Sequence, residues 1–279
     1  RRKSGKQGKL SPERIRLMFN ISNKKRIVIK LGTSTLAHKT GKLNIRRMNN
    51  LVRVLADLQN SGKELIIVSS GAIGLGVGKL GLRHKPEDTP TKQAAAAVGQ
   101  CELMYLYDDL FDNYGITVAQ ILLTKTIIET ERQKNVENTF DKLISMGVIP
   151  IVNENDTVAI DELELEIGEN DSLSAIVAKL AKADLLIILS DIDGLYDSDP
   201  HKNPEAKLIP VVTEINEHIE NIAGGSGTSL GTGGMATKIN AAKIANEAGI
   251  DMIIMNGNNP DKLYGLFEND ETGTIFISH

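Results

Sequence analysis

Residues 231–238 read GTGGMATK, three glycines followed by a lysine, and the run INAAKIANEAG after them has helical spacing. Glycines let backbone N–H groups crowd an anion, a helix N-terminus adds partial positive charge, and a lysine adds a full one, so the stretch has the makings of a phosphate-holding turn. It is not a Walker loop: Lys238 stands four residues beyond the last glycine and is followed by Ile239, where that motif requires GK and then Ser or Thr. A surface turn entering an amphipathic helix with a solvated lysine is the other reading, and the stretch alone supports both. A second lysine, Lys30, ends the apolar run RIVIKL at 26–31. An unpaired ammonium is costly to bury, so Lys30 needs an acidic partner or a phosphate. A structural salt bridge would meet that need as well as a ligand. Two lysines, the glycine turns at 71–74 and 231–234 and a set of Asp and Asn groups suit phosphoryl transfer, where catalysis is mostly alignment and neutralisation of charge.

Other chemistries find little material. Cys101 is the only cysteine, which excludes disulfides within the chain and cysteine metal clusters and fits a reducing, cytoplasmic setting. The five histidines show no metal-ligand spacing, and no GxSxG elbow is present. A net charge of −4 argues against a broad nucleic-acid footprint and leaves any anion to locally placed lysines and amides. The 279 residues, 41% hydrophobic and 4% aromatic without tryptophan, give a globular chain with a core of Ile, Leu, Val and Ala. The opening RRKSGKQGKL is basic and lacks an apolar core, so it is neither a cleavable signal nor a membrane span, and no later run spans a membrane. It could touch RNA or anionic lipid, but residues 1–17 are expected to be a solvated or expression-derived extension ahead of a start at Met18.

The elements that must position these groups alternate along the chain. Continuous β-branched runs predict strands at 26–31, 64–70, 116–123, 147–153, 184–190, 251–256 and 274–278, covered on both faces as in a parallel sheet. Between them lie helical stretches such as Asn44 to Asn60, whose apolar residues recur at three- and four-residue spacing before Ser61-Gly62. The expected fold is α/β, an open, mainly parallel sheet sandwiched between helices, with residues 18–279 forming one domain. Residues 157–168, TVAIDELELEIG, alternate with period two and predict an exposed hairpin beside the site; 197–210, with three prolines, predict a loop or irregular hairpin.

Ligands of open parallel sheets bind beyond the carboxyl ends of the strands. Here those ends carry Gly32-Thr33-Ser34, Ser69-Ser70-Gly71, Asn153-Glu154-Asn155-Asp156, Glu169-Asn170-Asp171 and Ser190-Asp191. Any one Gly-Ser pair can be merely a turn into a helix. Asn170 and Asp171 could equally cap the helix that begins SLSAIVAKLAKA.

Taken together, the segments IVIKLGTST, IVSSGAIGLG, QAAAAVGQ, VIPIVNENDTV, GENDSLSA, LSDIDGLYDSDP and GLGTGGMATK resemble, in order and over some 250 residues from Arg26, those of the amino acid kinase family, and in particular its glutamate branch. The resemblance implies an α/β/α sandwich that moves the γ-phosphoryl of ATP, carried with Mg²⁺, to the side-chain carboxylate of L-glutamate on the way to proline. It implies that Lys30 and Lys238 neutralise the transferring group and Asp171 orients them, while Ser70, Asp156 and Asn170 hold the amino acid. Nucleotide contacts would come from Lys30, Gly32, Ser190, Asp191, Thr232, Gly233, Gly234, Met235, Ala236, Thr237 and Lys238. Many members read GDND where this chain has GEND at 168–171, which leaves the part of Glu169 open. Many bacterial members continue into a PUA domain, and no such domain is expected here. A homo-oligomer, dimer or tetramer, and proline as a feedback inhibitor follow from the resemblance alone. The rivals are a family member acting on N-acetylglutamate, aspartate, carbamate or UMP, and a non-catalytic amino-acid sensor, which would have no need to neutralise a phosphoryl group in transit.

Overall fold

The computed structural model describes residues 21–36, 38, 42–124, 132–158, 170–200, 202–224, 234–268 and 273–278. The strands are β1 (Arg26–Leu31), β2 (Glu64–Ser69), β3 (Val118–Leu123), β4 (Ile149–Glu154), β5 (Leu185–Ser190), β6 (Val211–Val212), β7 (Asp251–Asn256) and β8 (Thr274–Phe276). They form one eight-stranded sheet in the order β3-β4-β2-β1-β5-β7-β8-β6. Pairing is parallel from β3 through β7, and β8 then runs antiparallel to β7. All seven strands read from the sequence are present. The two-residue β6, parallel to β8, was not among them, being too short to give a periodic signal.

The helices are α1 (Thr33–Leu36), α2 (Ile45–Asn60), α3 (Ala72–Lys79), α4 (Thr89–Asp112), α5 (Gln133–Ser145), α6 (Asn170–Leu180), α7 (Glu217–Ala223), α8 (Met235–Glu247) and α9 (Lys262–Phe267). Successive residues of a strand face opposite sides of a sheet, and β1 shows the result. Ile27, Ile29 and Leu31 pack with Met48, Leu51 and Leu55 of α2 and Leu103 and Tyr107 of α4. Val28 faces the other way, into the core with Leu173 and Val177 of α6 and Ala241 and Ala245 of α8. Lys30 shares the side of Val28, so the same alternation that builds two cores delivers its ammonium to α6 and α8.

The expected α2 is present, capped by the Asn44 side chain, which accepts from the Arg47 N–H at 3.1 Å. The proline-bearing segment at 197–210 is an irregular hairpin, with Tyr196 bridged to Leu208 and the Asp197 N–H donating to the Lys207 carbonyl at 3.0 Å. The acidic hairpin expected at 157–168 lies outside the described residues from 159 onward. Among the described residues no helix is long and apolar enough to cross a membrane. The last described turn is fastened at the start of β7, where the Ser278 N–H and hydroxyl both donate to Asp251 Oδ1 at 2.9 Å and Lys24 holds Oδ2 at 2.6 Å.

Helices α3 and α4 touch through their backbones. A Cβ at Gly99 would stand 1.7 Å from the Ala72 carbonyl oxygen, and one at Gly76 would stand 1.8 Å from that of Ala95. Two helices this close must separate to admit a methyl group. Gly99→Ala is therefore expected to lower stability by about 1–3 kcal/mol, read as a fall in the urea midpoint at constant slope. An unchanged midpoint would mean that the helices part without penalty.

Candidate active site

Register brings the strand ends together. Leu31 pairs with Ser69 on one side and Leu189 on the other, so Gly32, Ser70 and Ser190 follow side by side at the carboxyl edge of the sheet. Gly71 takes φ +99°, a left-handed conformation that suits glycine, and turns the chain from β2 into α3.

At the centre stands Asp171, whose side chain is fully buried in the first turn of α6. Lys30 Nζ lies 2.7 Å from Oδ1 and Lys238 Nζ 3.1 Å from Oδ2, with side-chain exposures of only 11% and 5%. The Thr237 hydroxyl is within reach of both Oδ2 at 3.0 Å and the Gly234 carbonyl at 2.8 Å. One carboxylate thus serves two ammonium groups, and the trio keeps one net positive charge in a place where water screens little. Burial pushes the Asp171 carboxyl up, but the ammonium groups of Lys30 and Lys238 outweigh it and hold it below its ordinary value of 3.8. Its stabilising contribution is complete above that value and is withdrawn only as pH falls through the lower folded one.

A polar chain runs beside this trio. Asn170 Nδ2 reaches the Ser69 carbonyl at 2.9 Å, Ser70 Oγ at 2.7 Å and Asn153 Oδ1 at 3.2 Å. Asn153 Nδ2 in turn donates to Gln100 Oε1 at 2.9 Å, and Gln100 Nε2 is buried with no hydrogen-bond acceptor among the described residues. Beneath them Ser69 Oγ meets the Tyr107 hydroxyl at 2.9 Å, and burial pushes the Tyr107 phenol well above its ordinary range.

The residues picked from the sequence distribute as follows. Lys30, Asp171, Thr237 and Lys238 meet in one contact, and Ser70 with Asn170 in a second. Gly234 precedes α8 as its N-cap, and Met235 and Ala236 open its first turn. Ser190 is buried at the end of β5 and donates to the exposed Asp191 at 3.1 Å. Gly32 is half-buried, with its carbonyl accepting from Thr35 N–H at 3.0 Å. Asp156 lies in the turn after β4, half-buried. Thr232, Gly233 and Glu169 lie outside the described residues. The capping role open to Asn170 and Asp171 shifts: α6 begins at Asn170 rather than at Ser172, and the Asp171 carboxylate turns to the lysines. Asn153 was read only as part of the polar end of β4, with no role of its own, and Gln100 was missed. Gln100 had a signal, for it sits in an apolar helical stripe with Ala96, Leu103 and Tyr107.

Residues 25–256 match the amino acid kinase family. The chain belongs to that family. As an amino acid kinase it uses ATP as phosphoryl donor, and the positive trio stands where β1, α6 and α8 meet. Its relatives include the glutamate 5-kinase of Clostridium perfringens, 54% identical over 261 residues that cover 92% of this chain and 97% of that protein. The glutamate 5-kinase of Listeria monocytogenes is 50% identical over 262 residues, 93% of this chain and 95% of that one. In fold this amino acid kinase is similar to carbamate kinase from Giardia lamblia bound to AMP-PNP, with a TM-score of 0.63 at 17% identity, covering 93% of this chain and all of that one.

Proposed function

We propose that the chain transfers the γ-phosphoryl group of ATP to the side-chain carboxylate of L-glutamate, giving L-glutamyl 5-phosphate and ADP, the first step toward proline. The observation that carries this reading is one buried carboxylate, Asp171, held between two buried lysines. The half-identical relatives of nearly equal length, which are glutamate 5-kinases, support the choice of acceptor.

A carboxylate oxygen of glutamate attacks the γ-phosphorus as the bond from that phosphorus to the β,γ-bridging oxygen breaks, and the electron pair leaves with ADP. The acceptor is already an anion, so no proton need be removed. Repulsion between that anion and the triphosphate is the obstacle, and preformed positive charge is the remedy. Lys30 and Lys238 supply it and Asp171 fixes their direction. Mg²⁺ enters with ATP as part of the donor and shields its phosphates. Ser70, Asn170 and Asp156 hold the amino acid, while Gly32, Ser190, Asp191 and residues 232–237 meet the nucleotide. Proline as a feedback inhibitor, a homo-oligomer and a cytoplasmic setting belong to the same reading.

The test is ATP turnover with hydroxylamine trapping of the acyl phosphate. L-glutamate is expected to form the hydroxamate, whereas N-acetylglutamate should react on the order of 10⁴-fold more slowly, because a blocked amine leaves buried polar partners unmet. Equal rates with both acids would overturn the assignment of the acceptor.

A further inference from the structure

Helix α4 carries two polar side chains in its buried stripe, Gln100 and Tyr107, among Ala96 and Leu103. Gln100 is the unusual one. Its Oε1 accepts from Asn153 Nδ2 at 2.9 Å, while its Nε2 is buried with no hydrogen-bond acceptor among the described residues. A buried donor left unmet destabilises a fold, so the use of this amide lies in its oxygen.

The polar relay that Gln100 joins has a fixed direction. The Ser69 carbonyl can only accept, so the Asn170 atom 2.9 Å from it must be the amide nitrogen. That nitrogen also faces Asn153 at 3.2 Å, which sets the Asn153 oxygen toward Asn170 and the Asn153 nitrogen toward Gln100. Gln100 must then meet it with Oε1, and Nε2 is what remains. Both ends of the relay rest on α4, because the Ser69 hydroxyl is itself bonded to the Tyr107 hydroxyl at 2.9 Å. With the Asn170 nitrogen directed to Ser69, Ser70 and Asn153, none of these bonds uses Asn170 Oδ1. An amide oxygen attracts an ammonium group, whereas an amide nitrogen repels it.

We propose that Gln100 is a positioning residue for the acceptor: through Asn153 it holds Asn170 with its nitrogen inward and its oxygen left for the substrate, which selects an acid that carries an α-ammonium group. The proposal rests on L-glutamate as the acceptor. Gln100 touches no substrate in this scheme and acts through two other side chains. Contacts to the amine are the same before and during phosphoryl transfer, so their loss falls on KM and spares kcat.

The experiment is steady-state kinetics of the full chain with L-glutamate and with glutarate, the analogue that lacks the amine, by hydroxylamine trapping. Where the parent turns glutarate over too slowly to follow, its inhibition constant against L-glutamate takes the place of kcat/KM. Gln100→Met keeps the length of the side chain and removes the acceptor. It is expected to raise the KM for L-glutamate about 10- to 100-fold, with kcat and the KM for ATP within about two-fold of the parent and the value for glutarate unchanged. Gln100→Glu keeps an oxygen for Asn153 in either protonation state, so its KM for L-glutamate should stay within about three-fold of the parent. Should Gln100→Met fail to fold, the Gln100→Glu result decides alone. An unchanged KM for L-glutamate in Gln100→Met, or a large rise in Gln100→Glu, would overturn the proposal. So would an equal loss with both acids, the mark of a residue that serves only the fold. No hydroxamate from L-glutamate in the parent would overturn the acceptor assignment and this proposal with it, an outcome distinct from a parent that turns over L-glutamate beside an unaffected variant.

Discussion

Lys238→Ala is expected to lower kcat on the order of 10²- to 10³-fold, about 3–4 kcal/mol, with a smaller change in the KM for glutamate. The reason lies in the charge count at Asp171. With Lys238 present, two ammonium groups face one carboxylate; without it, Lys30 and Asp171 form a neutral pair and the surplus charge disappears. Charge shifts among the phosphate oxygens mainly as the phosphoryl group moves, so the loss falls on the transition state more than on binding. Lys238→Arg should restore turnover only in part, since a planar guanidinium cannot occupy the place of a compact ammonium 3.1 Å from Oδ2. Steady-state kinetics on folded protein decides the matter. Turnover at the parent rate in Lys238→Ala would show that the lysine serves only the fold.

Asp171→Asn should damage folding as well as turnover. Removing one member of a buried ion pair leaves an uncompensated charge, typically about 3–5 kcal/mol, and here two ammonium groups lose the carboxylate they share. A residue that only capped α6 would tolerate this change, because asparagine caps as well as aspartate. The two roles are therefore distinguishable by chemical denaturation. ATP supplies the missing negative charge, so its stabilising effect on Asp171→Asn should exceed its effect on the parent protein at the same concentration. If the variant melts with the parent and gains no more from ATP, the carboxylate is not what holds the lysines.

Much of this was readable in the chain before any coordinates. Strands buried on both faces write themselves as unbroken apolar runs, which is why β1, β2, β5 and β7 were found within a residue or so of their ends. Lys30 stood out because a charge at the end of such a run needs a partner. The identity of that partner was not legible: Asp171 is 141 positions away, and only the pairing of β1 with β2 and β5 and the packing of α6 bring the two within 2.7 Å. Asn170 and Asp171 read locally as caps, a preference set by neighbouring backbone, while tertiary charge decided the direction of the carboxylate. The partners of Asn153, and Gln100 altogether, escaped for a related reason. Their link to Ser70 passes through Asn170 and joins four separate segments, and no spacing rule spans such gaps.

The reversal of β8 at the far side of the sheet has a practical consequence. Ser278 is bonded to Asp251 at the starting end of β7, and Lys24, just before β1, is bonded to the same carboxylate. Both ends of the described chain therefore emerge next to each other on the edge opposite the lysines. A tether attached after Ser278, whether to a bead, a sensor surface or a fused fluorescent protein, leads away from Lys30 and Lys238 and leaves their approach open. Donor and acceptor dyes placed at these two ends would start close together, and their separation would report unravelling of β7 and β8 directly.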